Sequence, residues 1–500
     1  MKNKRLSQLI RGLLAIILVF GIGPAAAKAA ADISAEKVLG QTNMSGSSAN
    51  QGGSAAANTL YYPHWVFYDG SKFFVADYNN HRVLIYNSLP TADNQSADVV
   101  VGQTDMSGTS NWPVSAGTLS YPTDVYSDGT KLIIADSSNS RVLIYNSIPA
   151  TNGASADVVI GQTDMTGSNG NQGGSAAANT LHSPTGVLVY NGKLFVSDNN
   201  NHRVLIFNSI PTANNASADV VLGQPDMTSN SSDQGGAVSA QGMRMPRGVF
   251  ASGGKLFICD DQNNRVLIYN NIPTINNTAP DVVVGQPDMS SSSANQGGSA
   301  NYNTLNKPRG VYSDGTRLFI ADYQNHRVLQ YNSIPAANNA SADRIIGQSD
   351  PGHNQANRGG ATAANTLYRP YGVFQYGSAL YVADTYNNRV LFYDIGPADG
   401  LSLNKTTLSY SKKKSRNTAI TITVYDVNLT KRKKNWVRVR LGNKKAVVKN
   451  VRNSGDNLLV NVKLKYGKWS RKSYNLTVQY RTSKSSSWES KSKTGALTIN

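Results

Sequence analysis

The chain has 500 residues, which is enough for about two to four domains, and its 39% of hydrophobic residues exclude wholesale disorder. Its single cysteine, Cys259, excludes an intramolecular disulfide and a zinc site built from cysteines. The formal net charge of +18 is unevenly distributed: residues 401–500 carry 24 Lys and Arg against three acids, whereas residues 32–400 have a net charge of −8. We therefore expect a mildly acidic body joined to a basic C-terminal region.

Residues 1–31 are predicted to be a secretory signal peptide. Four basic residues precede an apolar run from Leu13 to Phe20, and alanines follow at 25–27 and 29–31. A basic start, a short apolar segment and an Ala-x-Ala-like exit are typical of export, and the apolar run is too short to span a bilayer comfortably. We expect a secreted or extracytoplasmic protein without a membrane span after cleavage; an uncleaved anchor is the alternative.

Residues 32–398 consist of six repeats with a period of about 62 residues. A Gly-Gln pair recurs with spacings of 62 or 59, and the motif Asp-x-x-Asn-x-Arg-Val keeps the same rhythm. Each repeat contains four short runs rich in β-branched and aromatic residues, which in one repeat begin at Pro184, Lys193, Arg203 and Asp219. Four strands repeated six times predict an all-β, six-bladed β-propeller with four-stranded blades, because radial closure leaves only short edges.

The ends of the repeat region predict how the ring closes. A strand of the fourth type appears at residues 36–41, before any first strand, whereas the last repeat, residues 370–394, contains only three strands. We predict that the N-terminal strand completes the last blade through main-chain hydrogen bonds.

One repeat carries a family resemblance. Its segments Pro308–Val311, Leu318–Asp322 and Asn325–Leu329 resemble an NHL repeat, a family named after an Asn-His-Leu signature. The resemblance extends over residues 32–398 and implies a six-bladed propeller. NHL propellers serve in peptide or RNA binding, in sensor ectodomains, in ubiquitin-ligase proteins and in an amidating lyase, so the resemblance implies a fold but no single activity.

The Asp and Arg of the repeated motif are interpreted as a structural turn. A carboxylate at the end of the second strand can accept turn N–H groups and a charge-assisted bond from the arginine. Presence in every repeat favours a scaffold role over a unique active site. The pairs are Asp77 and Arg82, Asp136 and Arg141, Asp198 and Arg203, Asp260 and Arg265, Asp322 and Arg327, and Asp384 and Arg389. The residue before each arginine varies, which argues against a metal ligand; it is His81, Ser140, His202, Asn264, His326 or Asn388.

The positions after the first-strand proline differ most between repeats, and their side chains are expected to ring the mouth of a central funnel. Arg247 and Arg309 could hold a carboxylate or phosphate by bidentate bonds, and His64, Trp65 and Tyr371 could stack on a sugar or aromatic ligand. Neutral divergence of duplicated repeats is the alternative. The candidate ligand-binding set is His64, Trp65, Thr123, Asp124, Thr185, Arg247, Arg309 and Tyr371.

The connectors between repeats carry a series of oxygen-bearing side chains. A calcium site and an Asx turn both use such groups, and the turn is the favoured interpretation. The residues are Asn43, Asp105, Asp164, Asp226, Asp288 and Asp350. We expect no cofactor and no metal ligand, with calcium or zinc as alternatives.

Residues 399–500 are predicted to form a small, basic β-sandwich. Four runs alternate between apolar and polar residues, at 419–424, 436–441, 458–464 and 474–480. The stretch from Ile422 through Asn428-Leu429-Thr430 to the run at Tyr474 resembles an IPT/TIG-type immunoglobulin-like domain. We expect this region to bind an anionic cell-surface or extracellular polymer, with solubility alone as the alternative. The candidate residues are Lys412, Lys413, Lys414, Lys431, Arg432, Lys433, Lys434, Arg438, Arg440, Lys444 and Lys445.

Together these features predict an exported, non-enzymatic binding or scaffold protein. Its propeller would present a face for a protein, peptide or glycan, and its basic domain would attach to an anionic polymer. The alternative is a metal-dependent lyase or lactonase in the funnel, for which His64 and His182 are the histidines expected on the connector face. A structural envelope protein without a small ligand is a third hypothesis.

Overall fold

The computed structural model describes residues 33–396 and, beyond residue 400, the backbone of eight further strands. Residues 33–396 form six four-stranded antiparallel sheets, and this part of the chain contains no α-helix. The prediction of an all-β, six-bladed propeller is confirmed. The signal-peptide prediction and the domain boundaries at 31/32 and 398/399 lie outside the described residues.

Each of the first three blades runs from an inner first strand to an outer fourth strand. Blade 1 contains β2 (Pro63–Tyr68), β3 (Phe73–Asp77), β4 (Arg82–Tyr86) and β5 (Val99–Val101). Blade 2 contains β6 (Pro122–Ser127), β7 (Leu132–Asp136), β8 (Arg141–Tyr145) and β9 (Val158–Ile160). Blade 3 contains β10 (Pro184–Tyr190), β11 (Lys193–Asp198), β12 (Arg203–Phe207) and β13 (Val220–Leu222).

The other three blades repeat this order. Blade 4 contains β14 (Pro246–Ser252), β15 (Lys255–Asp260), β16 (Arg265–Tyr269) and β17 (Val282–Val284). Blade 5 contains β18 (Pro308–Ser313), β19 (Leu318–Asp322), β20 (Arg327–Tyr331) and β21 (Arg344–Ile346). Blade 6 contains β22 (Val373–Tyr376), β23 (Ala379–Asp384), β24 (Arg389–Asp394) and, as its outer strand, β1 (Lys37–Leu39).

Short 3₁₀ turns occur at two places in the repeat. One follows the second strand of every blade, at Tyr78–Asn80, Ser137–Asn139, Asn199–Asn201, Asp261–Asn263, Tyr323–Asn325 and Thr385–Asn387. The other lies in five of the connectors, at Ala49–Gly52, Gly170–Gly173, Ser232–Gly235, Ala294–Gly297 and Ala356–Gly359.

The ring closes between the two ends of the repeat region. Strand β1 pairs antiparallel with β24, and Lys37 lies opposite Phe392 and Leu39 opposite Val390. The side chain of Gln41 adds a hydrogen bond from Nε2 to the Asn388 carbonyl oxygen at 2.9 Å. The predicted closure by the N-terminal strand is confirmed.

Outer strands are covered by loops from neighbouring blades. In blade 1 the amide of Val100 donates to Asn152 Oδ1 at 3.0 Å, and the amide of Gly153 donates back to the Val100 carbonyl oxygen at 3.1 Å. Five of the six outer strands make this pair of bonds with the loop between the third and fourth strands of the next blade. Since a bare edge can template further pairing, these loops protect the ring.

First strands approach one another closely at the propeller axis. A Cβ atom on Gly310 or Gly372 would lie 2.5 Å or less from a carbonyl oxygen of the next blade, so these two blades leave no room for a side chain there. Two blades carry Trp65 and Asp124 instead. The Trp65 ring fills space against both glycines and is 4% exposed, and the Asp124 carboxylate accepts the amides of Val125 and Val187. The axis is therefore narrow and filled.

Eight strands beyond residue 400 form one hydrogen-bonded series, in the order β25-β27-β30-β29-β28-β31-β32-β26. They are β25 (Leu401–Leu403), β26 (Thr407–Leu408), β27 (Asn417–Val424), β28 (Val437–Leu441), β29 (Lys444–Ser454), β30 (Asn457–Lys465), β31 (Lys472–Tyr480) and β32 (Glu489–Ile499).

The four strands predicted in this region correspond to β27, β28, β30 and β31. Strands β29 and β32 were not predicted from the sequence, because their lysines, serines and asparagines interrupt the apolar alternation. Strand β29 pairs with β28 through its first residues and with β30 through the rest. The immunoglobulin-like assignment stays a prediction.

Candidate functional site

One end of the propeller, here called the mouth face, carries the first-strand prolines and the turns after the second strands. The register places both there, since Pro63 pairs with Asp77 and Pro308 with Asp322. Residues that flank the proline or follow the aspartate are therefore neighbours around the axis. Repeated and variable positions of the motif thus lie side by side on one face.

The repeated Asp and Arg form a buried network in every blade. Asp77 Oδ2 accepts hydrogen bonds at 2.8 Å from Arg82 Nε and Asn80 Nδ2, and both members of the ion pair are fully buried. Arg82 Nη2 donates at 2.9 Å to the carbonyl oxygens of Ala56 and Thr59 in the preceding connector, and Nη1 donates to that of Met106 in the following one. Each arginine therefore ties a blade to both of its connectors.

The corresponding pairs in the other blades have Nε to Oδ2 distances of 2.7–2.8 Å and the same kind of carbonyl contacts. In blade 6 the Nη1 of Arg389 reaches the carbonyl oxygen of Met44, so this network also spans the closure of the ring. Each arginine is buried, and four of its N–H donors are bonded to groups of the protein itself. The motif therefore has a structural role.

The variable residue before each arginine accepts a hydrogen bond from the next blade. Nδ1 of His81, His202 and His326 accepts at 3.1 Å the amide of the residue that precedes the next first-strand proline. Oδ1 of Asn264 and Asn388 accepts the equivalent amide at 2.8 Å, and Oγ of Ser140 accepts it at 3.3 Å. Histidine, asparagine and serine therefore exchange here because each supplies an acceptor.

The connector aspartates cap their own turns. Asp105 Oδ1 accepts the amide and hydroxyl of Ser107 and the amide of Gly108. These bonds, chiefly those from Ser107, lower the pKa of the Asp105 carboxyl. The equivalent residue of each of the other connectors makes the same kind of turn. Within residues 33–396 and the described tail positions, no three His, Cys, Asp or Glu side chains converge as a metal site would require.

Only two of the eight candidate mouth residues keep partly exposed side chains, Arg247 and Arg309 at 16% each, and the other six are buried. Thr123 Oγ1 and Thr185 Oγ1 donate to the carbonyl oxygens of Pro184 and Pro246 in the next blade, at 3.2 and 3.1 Å. Trp65 and Asp124 occupy the axis described above. Thr123, Thr185, Trp65 and Asp124 are therefore enclosed between neighbouring first strands, and the ligand-binding role of the eight residues stays a prediction.

The other four candidates come together on blades 1, 4, 5 and 6. The His64 ring is stacked between Tyr78 and Tyr371, with centroid distances of 3.7 and 4.1 Å. Burial, together with the charges of Arg309 and Arg247, holds the pKa of His64 well below its ordinary value. Its Nδ1 atom is buried without a hydrogen-bond partner.

The arginine pair is joined by a carboxylate of the protein itself. Arg247 Nε donates to Asp261 Oδ2, and Arg309 Nε lies 3.4 Å from the same oxygen. Arg247 Nη1 also donates to the Tyr371 hydroxyl at 2.9 Å. Both arginine side chains stay 16% exposed, whereas Asp261 is fully buried. The two arginines were predicted to hold the carboxylate of a ligand. In the structure, the carboxylate that lies between them is that of Asp261.

Several residues near these four candidates were not predicted from the sequence. Arg309 Cζ lies 3.5 Å from the centre of the Tyr323 ring, and Arg369 Cζ lies 4.7 Å from that of Tyr386. Tyr386 in turn stacks on Tyr62 with a centroid distance of 4.7 Å. These residues precede the proline or follow the aspartate of the repeat, so aligning those positions across the six copies would have revealed them. We call Arg247, Arg309, Arg369, Asp261, His64, Tyr62, Tyr78, Tyr323, Tyr371 and Tyr386 the Arg/Tyr cluster.

The rest of the mouth face has a different character. On blades 2 and 3 the equivalent positions are mainly small and polar, and they include Thr123, Ser137, Ser183, Thr185 and Asn199. The mouth is therefore asymmetric, with cationic and aromatic groups on one side and mostly hydroxyl and amide groups on the other.

No family profile matches the chain, and no curated protein matches its sequence. Among solved structures, it is similar to an aldose sugar dehydrogenase from Streptomyces coelicolor in its PQQ-bound form, with 12% identity, a TM-score of 0.34 and coverage of 68% of this chain and 96% of the other. A nidogen/laminin complex chain gives 13% identity, a TM-score of 0.31 and coverage of 62% and 84%. A glutaminyl cyclase from Myxococcus xanthus gives 12% identity, a TM-score of 0.26 and coverage of 53% and 87%. These values are too low to support a conclusion about function.

The described residues contain no helix long and apolar enough to cross a membrane.

Proposed function

We propose that the protein is an exported, non-enzymatic binding protein whose Arg/Tyr cluster takes a ligand and whose basic C-terminal region attaches to an anionic polymer. One observation carries the first part. In a ring whose structural residues repeat six times, cations and aromatic rings gather on one side of one face. A single ligand needs such broken symmetry, whereas scaffold positions do not.

The contacts in the cluster favour binding over catalysis. The Asp261 carboxylate faces two arginines, and the His64 ring is enclosed between two tyrosines. Neither group is placed as a general acid or base with an open approach for substrate. The metal-dependent lyase or lactonase stays the alternative, and stoichiometric zinc or calcium in the purified protein would support it.

The ligand face is tested by capture of glycans and peptides on an array by the mature protein. We expect the double variant Arg247→Gln/Tyr371→Phe to lose capture of the preferred class. The matched control is Lys193→Gln/Lys255→Gln, since these lysines begin second strands at the opposite end of the blades. Equal loss in both variants, or loss in neither, would show that the mouth does not bind the ligand.

The second part of the proposal concerns residues 399–500, with a net excess of basic residues that solubility alone does not need. The backbone register places Arg440 opposite Lys445, and cross-strand partners share one face of a sheet. The candidates Arg438 and Lys444 lie on the same two strands, β28 and β29, whereas Lys412–Lys414 and Lys431–Lys434 lie outside the described residues.

Salt-dependent binding of the full chain to a teichoic-acid-like polyphosphate or to an acidic polysaccharide tests the attachment. Neutralising Lys431, Arg432, Lys433 and Lys434 to glutamine should weaken binding and flatten its dependence on salt, because fewer counterions are released. Neutralising Lys72, Lys131, Lys193 and Lys255 removes the same charge from the propeller and should leave binding unchanged. The same effect from both sets would mean that net charge alone is responsible.

A further inference from the structure

The cations of the mouth face are confined to half of the ring. At the positions directly before and after the first-strand proline, blades 4, 5 and 6 carry Arg247, Lys307, Arg309 and Arg369, and blades 1, 2 and 3 carry neither Lys nor Arg. Within the Arg/Tyr cluster, Asp261 is the only acid. This local excess stands on a body whose net charge over residues 32–400 is −8. A long polyanion would meet repulsion from the body, whereas a ligand with one or a few anionic groups would not.

Two of these arginines are incompletely partnered. Arg309 Nε is 3.4 Å from Asp261 Oδ2 without hydrogen-bond geometry, and Arg369 Nε is buried without a hydrogen-bond partner. The guanidinium carbons of both lie within 5.5 Å of the centre of the Tyr323 ring. Guanidinium groups held against rings lose part of their hydration, which favours a bond to an oxyanion.

The tyrosine beside Arg369 reports the local field. Burial alone would raise the pKa of the Tyr386 hydroxyl, yet hydrogen bonds with Tyr323 and Arg369 and the charges of Arg369 and Arg309 lower it. Burial raises the pKa of its hydrogen-bond partner Tyr323, but the charges of Arg309 and Arg369 oppose that rise as well. A positive potential that acts on both hydroxyls favours an incoming carboxylate.

The residues around these arginines indicate which kind of ligand carries the anionic group. Tyr62, Tyr368 and Tyr386 are partly exposed, and their rings form a continuous group with centroid distances of 4.7 and 5.1 Å. Across the mouth the partly exposed Ser183 and Asn200 supply hydroxyl and amide groups. Aromatic faces beside hydroxyls and amides suit a sugar ring, which has an apolar C–H face and polar edges.

We propose that the Arg309–Arg369 side of the mouth binds the carboxylate of an acidic saccharide, whose ring packs against the partly exposed group of Tyr62, Tyr368 and Tyr386. This inference rests on the proposed function and names the ligand class of the same site. The carboxylate bridges the two guanidinium groups above Tyr323, and Asp261 keeps Arg247 and Arg309 in place. A nucleic acid is less suited, because its long run of phosphates would meet repulsion from the acidic body.

Calorimetric titration of the mature protein with trigalacturonate and with its methyl ester tests the proposal. The two probes share the sugar rings and differ in charge. We expect the acid to bind at least tenfold more tightly than the ester. The variant Arg369→Gln should weaken the acid about 10- to 100-fold, as loss of a charge-assisted bond does. The control Lys193→Gln, at the opposite end of blade 3, should bind like the original protein. Circular dichroism melting of both variants checks that they are folded.

Other outcomes would overturn the inference in distinguishable ways. Equal binding of acid and ester would remove the carboxylate site but leave a saccharide ligand in the mouth. Tighter binding of a short polyglutamate peptide or a hexanucleotide, lost in Arg369→Gln, would replace the ligand class while leaving the ligand face in place. Absence of binding by all of these probes, with positive capture on the array, would reject the acidic saccharide alone. Absence of both would reject the ligand face as well.

Discussion

Asp260 and Asp261 are adjacent in the chain and have different roles. Asp260 pairs with Arg265 in a fully buried network that the other five blades reproduce. Asp261 begins the following turn and holds Arg247 and Arg309 at the mouth, and its equivalents in the other blades are tyrosine, serine, asparagine or threonine. Of these two neighbours in the chain, Asp260 thus belongs to the scaffold and Asp261 to the candidate site. Both residues are buried aspartates paired with arginine, so residue type and burial do not distinguish them. Comparison of the six repeats does, because only Asp260 has an equivalent aspartate in every blade.

Removal of the strand that closes the ring is expected to cause the largest loss of stability. Deletion of residues 32–42 takes away the pairing of β1 with β24 and two fully buried side chains, Val38 and Leu39, each worth about 1.5–3 kcal/mol. We expect the free energy of unfolding to fall by about 5 kcal/mol, with a large drop in melting temperature by calorimetry. Addition of a peptide of residues 33–47 should restore part of that loss. An unchanged melting temperature would show that the ring is held closed by other contacts.

The two aspartates can be compared directly by isosteric substitution. Asp260→Asn leaves the Arg265 guanidinium buried without a counter-charge, and we expect a loss of about 3–5 kcal/mol in urea unfolding. Asp261→Asn acts on arginines that stay partly hydrated, so a loss of about 1–2 kcal/mol is expected. The second variant should also bind anions more tightly, because a negative charge has left the cluster. Similar destabilisation by both substitutions would contradict the division into scaffold and site.

The fold could be predicted from the sequence because its signals repeat. Six copies of Gly-Gln and Asp-x-x-Asn-x-Arg indicate six blades. A strand of the fourth type at residues 36–41, before the first repeat, indicates how the ring of blades closes. The site was only half predictable. The variable positions after the proline pointed to Arg247 and Arg309, yet the pattern could not show that Thr123, Thr185, Trp65 and Asp124 lie in a narrow axis. That depends on the distance between first strands, which no local pattern records.

Acid sensitivity separates two uses of histidine. Burial lowers the pKa values of His81, His202 and His326, that of His326 to about 4. Arg369 adds to the shift of His326, and Arg244 and His182 lower that of His202 against opposition from Asp233 and Asp198. Each imidazole must stay neutral, because its Nδ1 accepts an amide of the next blade.

The sign follows from the folded pKa being below the unfolded value of about 6.5. Between these values the unfolded chain takes up protons that the folded ring excludes, so stability is complete above about pH 6.5 and decreases as the pH falls toward 4. For His326 alone the loss at pH 5 is about 2 kcal/mol.

Replacement of all three histidines by asparagine tests this directly. Asparagine already makes the same bond in blades 4 and 6, and it suits the left-handed backbone that all six positions adopt. The variant His81→Asn/His202→Asn/His326→Asn should match the original protein at pH 7 within about 0.5 kcal/mol and retain more than about 2 kcal/mol of additional stability at pH 5. The slope that remains belongs to the carboxylates and to His64, which burial and the charges of Arg309 and Arg247 keep neutral without an inter-blade bond. A triple variant as acid-sensitive as the original protein would show that these three histidines do not cause the acid sensitivity.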